Sequence, residues 1–163
     1  MDPRRALDWE VEHWCNARAP IRLADLQGRV VFVLAFQMLC PGCVGTALPQ
    51  ARKLRSTFAP EDLAVIGLHT VFEHHEAQGS VAALEAFLHE YRIDFPVGLD
   101  ADARPGRLPA TMRRYAMQGT PTILLIDHRG NLRLNHFGHL EDLALGAVLG
   151  ALIAEKNAGN APD

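Results

Sequence analysis

The chain has 163 residues, of which 48% are hydrophobic and 21% charged, with a formal net charge of −3. That length suits one domain, residues 1–163, with its own hydrophobic core. The charge gives no electrostatic basis for binding nucleic acid or an anionic lipid surface.

Residues 1–20 read as an N-terminal extension. The opening MDPRRALDWEVEHW carries basic residues but no apolar run of the secretory-signal kind. Trp9 and Trp14 are expected to pack on a sheet edge, with Cys15 a small, half-buried residue. Ile21–Ala24 is predicted as a short leading strand and Asp25–Gly28 as a turn. Val30–Phe36 (VVFVLAF) is apolar without alternation, the pattern of a strand covered on both faces of a parallel sheet. Val44, Ala47, Leu48, Ala51, Leu54 and Phe58 then recur at helical spacing. Pro49 is expected to kink that helix. Leu63–Leu68 is a second buried strand, and His69–Gly79 a polar loop or helix entry. Ser80 caps a helix carrying Val81, Leu84, Phe87, Leu88 and Tyr91. Phe95–Leu99 is a strand, Asp100–Pro109 a loop and Thr111–Met117 a short helix. Thr122–Ile126 and Leu132–Phe137 flank the turn residues DHRGN and read as an antiparallel hairpin. Leu140–Glu155 closes the chain as a helix, in which Gly146 and Gly150 are expected to allow close packing on the sheet. Its longest apolar stretch, Leu143–Ala154, is too short to span a bilayer. Lys156–Asp163 reads as a flexible tail. The order is β-α-β-α-β-α-β-β-α, an α/β fold with a mixed sheet.

The chemistry centres on Cys40-Pro41-Gly42-Cys43, between a strand end and a helix start. Two cysteines so spaced can hold a metal, form a staple or exchange electrons. A four-sulfur metal site needs a second pair, which the sequence lacks, although His69, His74, His75, His136 or His139 could supply ligands. A structural disulfide would close only a tiny loop and gain little. A redox pair fits the position best. Cys40, at the helix entrance, is expected to be the exposed thiolate nucleophile, favoured by backbone N–H groups and the helix dipole. Cys43, one turn in, is expected to resolve the mixed disulfide. Pro41 suits a first helical position, and Gly42 lets a partner's backbone approach.

Together with a later Gly119-Thr120-Pro121-Thr122, this pair and its strand resemble the thioredoxin-like superfamily, and within it the redoxin branch of thiol-disulfide oxidoreductases related to AhpC/TSA proteins. The resemblance covers roughly Ile21–Glu155. It implies a thioredoxin-like fold, a central mixed sheet flanked by helices. It also implies a cis Thr120–Pro121 bond facing the dithiol, with the backbone of Thr120 offered to an extended substrate strand. The branch often carries an acid after its second strand; Glu73 stands there and is expected to shuttle a proton for Cys43, its pKa raised by partial burial. Three positions depart from the pattern. Leu39 replaces the tryptophan usual before the first cysteine, leaving an apolar rim for substrate. Leu34 stands where a buried Asp or Asn is common. Pro49 comes six residues after Cys43, one later than the resemblance implies.

The expected activity is thiol-disulfide exchange at the CPGC dithiol, with a disulfide-containing protein or small thiol as substrate and a dithiol electron donor or acceptor as second partner. No cofactor or metal is implied. A peroxiredoxin-like peroxidase, using Cys43 in a T-x-x-C pattern, is the nearest alternative, although Cys40 stands where the threonine belongs. A metal-binding, copper-chaperone-like module on the same fold is another. Three cysteines are too few for a disulfide scaffold, so a reducing cytoplasmic setting is expected.

Overall fold

The computed structural model describes residues 4–159. Seven strands form one sheet, β1 (Arg4–Arg5), β2 (Val11–Cys15), β3 (Val30–Phe36), β4 (Leu63–His69), β5 (Val97–Asp100), β6 (Thr122–Ile126) and β7 (Asn131–Phe137), in the order β1-β7-β6-β3-β4-β5-β2. β3, β4 and β5 run parallel, while β6, β7, β1 and β2 pair antiparallel with their neighbours. The helices are α1 (Leu48–Thr57), α2 (His75–Gln78), α3 (Val81–Glu90), α4 (Ala110–Arg114) and α5 (Asp142–Gly159).

All seven residues of β3 are buried, because the strand is central and covered on both faces. Phe32, Leu34 and Phe36 face α1, α3 and α5 through Leu48, Leu84 and Leu149. Val31, Val33 and Ala35 face Leu26, Met112 and Tyr115 on the other side. This two-sided burial explains why the sequence run does not alternate. Full burial of each large side chain contributes roughly 1.5–3 kcal/mol, so β3 is a rigid base for the loop that leaves its C-terminal end.

The N-terminal segment differs from the expected extension. β1 pairs with β7 and β2 with β5, so residues before 20 supply both sheet edges. Trp9 and Trp14 meet edge to face at 5.9 Å, and the Trp9 indole N–H donates to the Ile21 carbonyl at 2.7 Å. Ile21–Ala24 is not a strand. Leu23–Leu26 is a 3₁₀ turn, held by the Asp25 carboxylate accepting from the Arg22 N–H and Asp8 accepting from the Leu23 N–H.

Pro49 lies inside a continuous helical run from Pro41 to Thr57. It sits in the first turn of α1, directly after a π-turn at Cys43–Ala47 in which the Leu48 N–H donates to the Cys43 carbonyl. A π-turn holds one residue more than an α-turn, which absorbs the one-residue offset of this proline. At the other end, α5 continues through Lys156 to Gly159, with the Lys156 ammonium bonding the Asp62 carboxylate and Glu61 carbonyl, so 156–159 are helix rather than the expected flexible tail; residues 160–163 lie outside the described residues. Added β-carbons at Gly146 and Gly150 would meet nothing within 4 Å, so these glycines do not serve close packing on the sheet. Among the described residues no helix is long and apolar enough to cross a membrane.

Candidate active site

The parallel strands end at one edge of the sheet, where Phe36 of β3 registers with His69 of β4, and His69 with Leu99 of β5. The chain leaves β3 through Gln37, turns with the Cys40 N–H donating to the Gln37 carbonyl at 3.1 Å, and enters the helix at Pro41. Leu39, Pro41 and Gly42 are exposed, Cys40 is half-buried and Cys43 is fully buried. An added β-carbon at Gly42 would stand 3.8 Å from Pro121 Cδ, an ordinary contact.

Cys40 Sγ accepts the Cys43 backbone N–H at 3.3 Å and donates to the Thr120 carbonyl at 3.6 Å. The N–H at the helix start stabilises negative charge on that sulfur. Cys43 is the opposite case. Burial first, then the hydrogen bond and charge of Cys40, push its thiol up to about 12, against lowering contributions from the Gln37 backbone and the Thr120 hydroxyl. One sulfur is thus reachable and solvated by a backbone donor, and its mate is buried and protonated at neutral pH. Both are free thiols. The Thr120–Pro121 peptide is cis, Pro121 is buried and Thr120 half-buried. Leu34 is fully buried, which leaves no ionisable group at that place in β3.

Glu73 does not meet the expectation placed on it. Its side chain is exposed, so the partial burial on which the proton-shuttle role depends is absent. Its backbone is engaged instead, with the Glu73 carbonyl accepting the Gln78 amide N–H at 2.7 Å. The loop folds back through the short helix α2, which carries Gln78 inward.

That inward turn builds a polar support which the sequence reading missed. Gln37 and Gln78 are 1% and 0% exposed, so neither can rely on solvent for partners. The Gln78 amide N–H donates to Gln37 Oε1 at 3.0 Å, and Gln78 Oε1 accepts the Leu39 N–H at 3.1 Å. Gln37 Oε1 also accepts the Phe72 N–H at 3.2 Å, and its amide reaches Thr120 Oγ1 at 3.4 Å. His69 Nε2–H donates to the Gln78 carbonyl at 2.9 Å; burial lowers its pKa, so the ring is a neutral strut for α2. One connected set of bonds therefore ties the dithiol loop, the loop after β4 and Thr120 together. The available signal was a glutamine closing an otherwise apolar strand run. A buried carboxylate, Asp100 at the end of β5, accepts from the Thr70 hydroxyl at 2.9 Å and from the Thr111 and Met112 N–H groups at 2.8 and 3.1 Å. Among the described residues the dithiol gathers no third metal-ligating side chain.

Comparison with known proteins agrees with this geometry. Residues 4–135 match the AhpC/TSA family. A thioredoxin-like superfamily protein of known structure is 49% identical, with a TM-score of 0.88 over 92% of this chain and 96% of the other. A thiol-disulfide isomerase from Corynebacterium glutamicum is 42% identical, with a TM-score of 0.89 over 94% of this chain and 99% of the other. An exposed lipoprotein thioredoxin from Streptococcus pneumoniae, at 24% identity and a TM-score of 0.69 over 90% of this chain and 100% of the other, shares the fold. No curated protein matches. The chain belongs to the AhpC/TSA family, among the thioredoxin-like thiol-disulfide oxidoreductases of the redoxin branch.

Proposed function

We propose that this enzyme exchanges the Cys40–Cys43 dithiol with the disulfide of a protein or small-molecule substrate. The observation that carries the reading is the asymmetry of the pair: an accessible Cys40 sulfur bonded by the Cys43 N–H at 3.3 Å, above a fully buried Cys43 thiol. The Cys40 thiolate attacks one substrate sulfur, forming a mixed disulfide and expelling the other as thiolate. Cys40 then no longer carries charge, so its hydrogen bond and charge cease to hold the Cys43 proton. Cys43 loses that proton to solvent and attacks Cys40 Sγ, releasing the second substrate thiolate and closing the intramolecular disulfide. Two electrons pass to the substrate; a dithiol donor restores the reduced pair, and an acceptor drives the reverse reaction. Glu73 is exposed on its loop, so burial does not support the proton-shuttle role expected of it.

The Thr120 carbonyl, once released from the Cys40 S–H, accepts an N–H of an extended substrate strand, with Leu39, Pro41 and Gly42 forming the apolar and open rim around it. A cytoplasmic setting rests on cysteine usage, since three cysteines are too few for a disulfide scaffold. A peroxidase reading has less support: it assigns attack to Cys43, which is buried and protonated. A metal module at the dithiol has less support, since among the described residues no third ligating side chain gathers there.

The test mixes reduced protein with a small aromatic disulfide and, separately, with hydrogen peroxide. The proposal expects two thiols lost per chain and intramolecular closure with the disulfide. Rapid peroxide oxidation of Cys43 that survives Cys40→Ser would defeat it. Equilibration with a glutathione buffer then gives direction: a potential near roughly −270 mV marks a reductase and near −120 mV an oxidant.

A further inference from the structure

Far along the sheet from the dithiol, the edge strand β2 carries His13 and Cys15 two residues apart, hence on one face. Pairing of His13 with Leu99 and Cys15 with Val97 holds that strand in place. α3 lies over the same face: Leu84 and Leu88 pack into the core that includes Cys15. Glu85, next to Leu84, therefore emerges beside the strand. One donor atom each from His13, Cys15 and Glu85 lies within 4.8 Å of the other two. His13 Nε2 and Glu85 Oε1 are 3.7 Å apart, too far for a hydrogen bond. Around a tetrahedral ion with bonds of roughly 2.0–2.3 Å, ligand atoms stand about 3.3–3.8 Å apart. The nitrogen and oxygen already have that spacing, and rotation of side chains by about 1 Å brings in the sulfur. Cys15 is only 7% exposed, and its sulfur stands within 4.8 Å of a Glu85 carboxylate oxygen.

We propose that His13, Cys15 and Glu85 bind a borderline-soft divalent cation of the zinc class. One imidazole nitrogen, one thiolate and one carboxylate oxygen form a three-ligand set, with the fourth position taken by water or by His89, which lines the same cleft one turn along α3. Binding replaces the Cys15 S–H bond by a metal–sulfur bond and releases one proton to solvent, with no change of oxidation state. The ion places positive charge against both the thiolate and the carboxylate. It also fastens the N-terminal edge strand to α3. The site is separate from the dithiol and does not depend on the exchange reaction.

A dithiol can bind zinc too, so the experiment uses the full chain carrying Cys40→Ser and Cys43→Ser, titrated with Co²⁺ and then Zn²⁺. The expected result is one Co²⁺ per chain with a thiolate-to-cobalt charge-transfer band, displaced by Zn²⁺, and a melting temperature that rises with added Zn²⁺. Adding Cys15→Ser abolishes the band. His13→Asn and Glu85→Gln change partly exposed side chains and leave folding intact; each weakens binding at least about ten-fold, the low end of what loss even of an outer partner costs. Absence of stoichiometric Co²⁺, a band that survives loss of Cys15, or unchanged affinity in either exposed-ligand variant overturns the assignment.

Discussion

Gln78→Met tests whether the buried amide network holds the dithiol loop. Methionine nearly preserves the volume, so no cavity is added and the change isolates the hydrogen bonds. Gln78 makes three side-chain bonds, accepting from Leu39 and donating to Gln37 and to the Glu73 carbonyl. Gln37 Oε1 keeps its Phe72 N–H partner, so it is not orphaned. The Leu39 N–H and Glu73 carbonyl lose theirs. Both groups lose part-buried bonds, each costing about 1 kcal/mol at the low end of the range for an orphaned group, for a loss of about 2 kcal/mol. With a urea slope of about 2 kcal/mol/M, the unfolding midpoint falls by about 1 M at unchanged slope. Hydrogen exchange of the Leu39 amide accelerates in step. A loss below about 0.5 kcal/mol, or an unaltered Leu39 exchange rate, would refute the claim that this amide anchors the loop.

Three further outcomes rest on particular residues. Gly67→Ala in β4 places a β-carbon 2.9 Å from Val97 Cγ2 and 3.2 Å from Phe95 Cε2, so overpacking destabilises the fold by about 1–3 kcal/mol in equilibrium unfolding; a neutral result would mean this core yields more than its packing implies. Burial raises the pKa of Asp100 in spite of its hydrogen bonds, so the folded state holds that proton more tightly than the unfolded chain does. This group's contribution to stability is therefore greatest at acid pH and is lost as pH rises from the unfolded value near 3.9 through the folded one; Asp100→Asn removes that slope in urea titrations at several pH values, and an unchanged slope counts against the assignment. In the reduced protein at neutral pH, iodoacetamide modifies Cys40 many-fold faster than Cys43, as read by peptide mass spectrometry, because Cys43 is buried and its pKa is pushed up to about 12.

The parts of the fold legible in the sequence were those where one local rule decides. VVFVLAF reads as a strand covered on both faces, and Ser80 caps α3 by accepting the Ala83 N–H, as its position before an apolar helix suggests. The two edge strands escaped because Arg4–Arg5 and Val11–Cys15 are short and half exposed; what makes them strands is the edge that β7 and β5 offer, which lies far away in sequence. The π-turn was legible only as a displaced Pro49, since i→i+5 bonding leaves no composition signal. At the site, the cysteines announce themselves by chemistry and spacing, whereas Gln37 and Gln78 matter because tertiary packing denies them water. Glu73 shows the converse: its place in the chain suggested a role that its exposure does not support.

The exchange mechanism stands most directly on which sulfur makes the first bond. With Cys43→Ala, a disulfide-linked peptide probe should accumulate as a stable adduct on Cys40, while Cys40→Ala protein stays unmodified over the same time. An adduct on Cys43 forming at a comparable rate in the Cys40→Ala protein would contradict the assignment of attacking and resolving roles.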